Sequence, residues 1–259
     1  MYGDVRGVIR TLTIFALVLW ATTGLASAQG AVVERPLVLP FSVDVEGEVP
    51  GGEGAAFWLG EAAALLIAEE LEARGIAVLS RAERVAAFGL LQLPPTSRLT
   101  RATMIRVGEL VGATELVVGE VRLGARLSVT ARIITLDTAR ERARATGEGL
   151  STGIYDVVEQ VTSQLLPVQP DATHADARMP LAAFESYVKG LVATTPAVQE
   201  RFLEGARQQD PDDERVLLAI SEFYAGQGAH DKALVAARAV RTEARQYRQA
   251  QYAVARALM

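Results

Sequence analysis

The segment Gly149-Leu150-Ser151-Thr152-Gly153 has the spacing G-x-S-x-G. In that pattern a serine on a sharp strand-to-helix turn is presented as a nucleophile beside an oxyanion hole. The chemistry also needs a histidine to take the serine proton and an acid to orient it. The chain has two histidines, His174 and His230. His174 falls in a proline-rich polar stretch and His230 in the turn of a helical hairpin, so neither is delivered by a later strand. The strands before the motif read as antiparallel, whereas the elbow sits on a parallel sheet. The expectation is that Ser151 or Thr152 caps the next helix. A small serine hydrolase using Ser151 is the alternative.

Other constellations are weaker. Gly51-Gly52-Glu53-Gly54 lies between a strand and a helix, where phosphate cradles occur. No lysine, serine or threonine follows it, and Asp44, Glu46, Glu48 and Glu53 would repel phosphate. Those carboxylates lack the spacing of an EF-hand loop, so the stretch reads as a solvated loop. Arg122, Arg126, Arg132, Arg142 and Arg144 could form a basic sheet face that docks an acidic partner or anionic headgroups. The blander reading, preferred here, is the wet face of an antiparallel sheet. Paired carboxylates of a glycosidase need a substrate cleft with aromatic platforms. Aromatics are only 6% of the chain, and the one tryptophan beyond Trp20 is Trp58, expected to pack under the first helix.

Composition narrows the choice further. There is no cysteine, so disulfides, thiolate nucleophiles and Cys-based metal sites are excluded. The only lysines are Lys189 and Lys232, and no Gly-Lys-Ser/Thr loop exists. A net charge of −5 argues against a general nucleic-acid binder. No catalytic, cofactor-binding or metal-ligating residue is expected, and no small-molecule substrate.

The elements that would position these residues follow from periodicity. Residues 1–28 read as a secretory signal: Arg6 and Arg10, an apolar run from Leu12 to Leu25, then Ala26-Ser27-Ala28. Cleavage after Ala28 gives a periplasmic or otherwise exported protein; an uncleaved inner-membrane anchor is the alternative. The run is shorter than the roughly 20 residues of a membrane span. Pro36 to Phe41 reads as a strand and 42–54 as a Gly-rich acidic loop. The helix from Ala55 to Arg74 buries Leu59, Ala62, Ala63, Leu66, Ile67 and Leu71, with Glu61, Glu69 and Glu72 on its wet face. Ile76 to Leu79 reads as a second strand. Ser80 and Glu83 form a capping box for the following helix, and another helix runs from Thr100 to Val111. The period then changes to two. Leu116–Val121, Leu127–Ile133 and a strand after Asp137-Thr138 form an antiparallel set, closed by a helix over Ile154–Leu165. Residues 29–166 are thus one mixed α/β domain, a mixed sheet with flanking helices. Residues 167–179 are a linker, and 180–259 are all-α helical hairpins.

From Asp212 to Val240 the hairpin pattern is specific. Leu217 and Ile220 face inward, Ser221 is small at the crossing, Tyr224 is the aromatic, Gly228 makes the turn, and Ala233 and Ala237 line the second helix. This stretch resembles tetratricopeptide repeats, with a third hairpin begun near Glu243 and an array expected to be incomplete. In the first domain, Leu37-Val38-Leu39-Pro40-Phe41, then Ile76 to Arg81, then Gly108 to Ala113 with Leu116 to Val121, resemble TolB-amino-terminal-like and FlgO-like domains. One departure is Thr138-Ala139-Arg140, where such domains commonly have Thr-Gly. The resemblance implies a non-enzymatic module of the bacterial cell envelope and carries over no catalytic residue. The expected function is an exported scaffold that binds a protein or peptide partner. Binding would use a groove of the helical repeats, with Arg215, Glu222 and Gln227 facing solvent, together with a surface of the α/β domain. Peripheral membrane association would run through the arginine face; nucleic acid is not an expected partner.

Overall fold

A continuous apolar run beginning Leu116-Val117-Val118 and an alternating one over Leu127–Ile133 build the centre of the sheet. In a computed structural model, which describes residues 35–47, 56–166 and 178–258, they are β3 (Glu115–Leu123) and β4 (Leu127–Thr135), paired antiparallel in register Leu123↔Leu127 to Glu115↔Thr135. β5 (Arg140–Gly149) adds antiparallel to β4. On the other edge of β3 lie two short strands in line, β1 (Pro36–Val38) and β2 (Ser42–Val45), both parallel to it. The result is a five-stranded mixed sheet. The expected signal sequence, most of the expected linker, His174 and the Gly51–Gly54 loop lie outside the described residues.

Between Val38↔Val117 and Ser42↔Glu120 the outer chain spends one residue more than β3. The bulge falls at Pro40, which has no N–H to give to a ladder. Sequence reading placed one strand over 36–41 and a loop after it; the chain makes two strands with a proline jog. Ser42 to Val45 is strand because Val43 and Val45 pack on the core while Ser42 and Asp44 do not. Ile76–Leu79, expected as a strand, is not one: among the described residues its one bond to β1 is Leu79 N–H to Pro36 C=O at 2.9 Å.

α1 (Leu59–Ala73) and α4 (Ile154–Leu165) cover one face of the sheet. The six apolar residues expected on α1 are all buried. Glu61, expected on the wet face, is buried too, because α2 (Arg81–Leu90) brings two guanidiniums to it. The opposite face, Leu37, Leu39, Leu116 and Val118, is covered by Phe88 of α2 and Val107 of α3 (Arg101–Val111). The capping box is formed: Ser80 Oγ accepts from Glu83 N–H, and the Glu83 carboxylate accepts from Ser80 N–H at 2.8 Å. Glycine lets Gly60 pass Phe41: a Cβ there would lie 2.1 Å from the Phe41 carbonyl oxygen.

The remaining described helices form antiparallel hairpins: α5 (Leu181–Val192) with α6 (Pro196–Gln209), α7 (Glu214–Gly226) with α8 (His230–Arg238), then α9 (Tyr247–Ala257). Leu217, Ile220, Ser221, Ala233 and Ala237 are buried, and Gly228 takes the turn at φ +73°. The apolar core runs without a break from α1 and the sheet into this layer. Phe184 of α5 meets Trp58 edge-on at 6.4 Å between ring centroids and lies 5.3 Å from Tyr155 of α4. No helix among the described residues is long and apolar enough to cross a membrane.

Candidate functional site

The G-x-S-x-G segment is explained by packing. A Cβ on Gly149 would come 2.6 Å from Val157 of α4, and one on Gly147 would come 2.8 Å from the Val157 carbonyl oxygen. The glycines let α4 lie close on β5. Gly153 is the helix N-cap, with neither Ser151 nor Thr152 bonding to the helix end, which corrects the capping expectation. Both side chains are exposed in a turn closed by Gly153 N–H to Leu150 C=O at 2.9 Å. The strained nucleophile turn is absent there: β5 is antiparallel and Ser151 keeps a negative φ. No cluster of three His, Asp or Glu side chains suited to a metal occurs among the described residues.

The five arginines do line the sheet, and each meets a carboxylate. Arg122 pairs with Glu120, Arg126 with Glu148, Arg132 and Arg144 with Glu141, and Arg142 with Glu115. Arg142 sits at a bulge opposite Ile133-Ile134, which lets it reach across to buried Glu115 at 2.7 Å. The turn before it holds Ala139 at φ +52°, in the left-handed region that favours glycine. A face so neutralised projects little net field.

The helical layer turns its first helices, α5 and α7, toward α1. Arg215 of α7, expected to face solvent, is buried. It bonds Asp213 at 2.7 Å and reaches Glu69 of α1 at 3.3 Å. Arg245 bonds Glu72 of α1 at 2.6 Å, and Arg81 donates to the Leu191 carbonyl at the end of α5 at 2.8 Å. Tyr187 is partly buried beside these groups, and its desolvation pushes the phenol above the ordinary value. Glu222 and Gln227 are exposed, away from this junction. The surface read as an open groove is thus covered, along α5 and α7, by the chain's own α1.

An open concavity among the described residues lies elsewhere, along β2, with a volume of about 1030 Å³. One wall is the start of α1, with Phe57 and Gly60; the other is the 95–99 turn, with Arg98 and Leu99. Its floor includes Phe41 and Gly119, and Gly119 is glycine because a Cβ would strike the Phe41 ring at 2.2 Å. Phe57 is 40% exposed, so an apolar ring stands at the mouth. Across from it Arg98 bonds Asp44. The side chain of Glu120, then Arg98 and Arg122, hold the Asp44 carboxyl below its ordinary value. None of Phe57, Arg98 and the β2 edge was singled out in the sequence as a site. The alternation of Ser42, Val43, Asp44 and Val45 was the available signal, hidden within a Gly-rich acidic stretch.

The fold is a mixed α/β sheet flanked by helices and followed by all-α hairpins, as the sequence indicated; the docking of the hairpins on α1 is seen only in the structure. No family model matches the chain, and no curated protein does. Among solved structures the chain is similar to the LpoB C-terminal domain from Escherichia coli, at 16% identity over 51% of this chain and 93% of that one, with a TM-score of 0.38. The corresponding domain from Salmonella enterica gives 18% identity, 46% and 83% coverage and a TM-score of 0.34. The PelC dodecamer from Paraburkholderia phytofirmans, space group P6, gives 17% identity, 52% and 89% coverage and a TM-score of 0.30.

Proposed function

We propose that this chain is an exported, non-enzymatic binding module of the cell envelope that takes a protein or peptide partner in the cleft along β2. In this reading residues 1–28 direct export and are removed after Ala28. Residues 29–166 form a TolB-amino-terminal-like domain, 167–179 the linker, and 180–259 a layer of tetratricopeptide-like hairpins. The observation that carries the proposal is the cleft itself. It is the concavity with an exposed aromatic at its mouth and polar groups of both signs opposite, the composition of a recognition surface. The hairpin layer serves as a brace, since its inner helices are spent on α1. The paired arginines weigh against electrostatic docking to membranes, and the turn conformation of Ser151 weighs against hydrolysis.

A photo-crosslinking amino acid placed at Phe57, and separately at Glu222, tests the reading in envelope preparations. The expected result is one discrete protein adduct from position 57, competed by unlabelled wild-type chain and not seen from position 222. No adduct from 57, or equal adducts from both positions, refutes it.

A further inference from the structure

The mode of binding can be read from the parity of the β2 ladder. Glu46 N–H donates to the Leu123 carbonyl at 2.8 Å, and the strands are parallel in register Val45↔Leu123. In such a pair the residues of one strand alternate in pointing their N–H and C=O toward the partner. The even residues of β2 therefore serve β3, and Val43 and Val45 turn their N–H and C=O outward. Phe41 follows the same parity, and its N–H is taken by Gly60 C=O at 3.0 Å. Nothing among the described residues takes the corresponding groups of Val43 and Val45. Two residues apart on a strand, they present four unused backbone groups about 6.6 Å apart. They do so inside a concavity of about 1030 Å³ instead of on a convex rim.

Resting on the cleft reading, we infer that the partner binds β2 by strand addition, as an extended segment with a basic residue between two apolar ones. The backbone of the added strand supplies the hydrogen bonds that β2 lacks. The side-chain pattern follows from what stands on each face. Val43 and Val45 lie on the core side with Phe57, so the residues opposite them are apolar. Asp44 points to the other face, where its partner is Arg98, a largely exposed side chain reaching over from the facing turn. A surface pair of this kind is weak, so a lysine or arginine on the added strand, directly opposite Asp44, takes the place of Arg98 as its partner. Natural sheets blunt exposed edges with charge or cover. β5 does so with Arg140, Glu141, Arg142 and Arg144; on β2 the outward groups belong to Val43 and Val45, with the single charge of Asp44 between them.

The probe is the capped peptide Thr-Val-Lys-Val-Thr, added to the full chain while amide hydrogen exchange is followed residue by residue. Exchange at Val43 and Val45 should slow at least tenfold at saturation, with Phe41 unchanged. Replacing the central lysine by glutamate should weaken binding at least fivefold, and Asp44→Asn should erase that preference while leaving the slowed exchange. A peptide with alternate backbone nitrogens methylated should not bind. Binding without slowed exchange at Val43 and Val45, a glutamate preference, or no binding of any of these peptides overturns strand addition. If the adduct from position 57 persists in those cases, the cleft reading survives and only its mode is wrong.

Discussion

Removing the Glu61 carboxylate gives the sharpest test of how the sheet, α1, α2 and α5 are held together. Its side chain is 4% exposed and accepts from Arg84, itself 5% exposed, and from Arg81 at 2.7 Å. Arg84 also donates to the Val38 carbonyl at 2.9 Å, and Arg81 to that of Leu191. Burial pulls the Arg84 guanidinium below its ordinary value and Glu61 opposes that pull. Glu61→Leu therefore leaves Arg84 charged, buried and uncompensated. Breaking one side of such a pair costs about 3–5 kcal/mol. Natural domains hold only about 5–15 kcal/mol in total. At about 2–4 °C per kcal/mol for chains of this size, the melting temperature should fall by about 6–20 °C. The double variant Glu61→Leu/Arg84→Met removes both charges at similar volume and should recover most of the loss, while Arg81, partly exposed, turns to solvent. Urea denaturation of the wild type, both single variants and the double variant closes the cycle. A Glu61→Leu loss no greater than that of the double variant would refute the reasoning, since the cost would then be packing and not an orphaned charge.

Ala139→Gly should stabilise the chain by about 0.5–1 kcal/mol in urea, because the left-handed backbone at φ +52° costs alanine more than glycine loses in chain entropy. Gly119→Ala should destabilise it by about 1–3 kcal/mol or more by driving a methyl into the Phe41 ring and the Thr130 carbonyl. Alkaline titration should report the partly buried phenol of Tyr187. Its folded value lies above its unfolded one, so its contribution is complete below about pH 10 and is lost as pH rises further. Phenolate absorbance of Tyr187, isolated by comparison with Tyr187→Phe, should therefore appear at higher pH in the folded chain than in urea; appearance at the same pH in both would contradict the desolvation. A fluorophosphonate probe should leave the chain unlabelled, and labelling that disappears in Ser151→Ala would restore the hydrolase reading.

The sequence determined the parts whose signal is local. A β-branched apolar run marked β3, alternation marked β4, apolar spacing marked the buried stripe of α1, and Ser80 with Glu83 marked the start of α2. The change from period two to a purely helical pattern separated the sheet from the hairpins. Tertiary structure decided what depends on residues far apart in the chain. Glu61 and Arg215 looked wet on their helices, and both are buried because opposite charges arrive from other elements. Ile76–Leu79 has strand composition but lacks a neighbour to complete a ladder, while Ser42–Val45, beside glycines and acids, gains one from β3. The cleft was illegible for the same reason. A backbone edge is free or used according to which strand lies next to it, and no residue type records that.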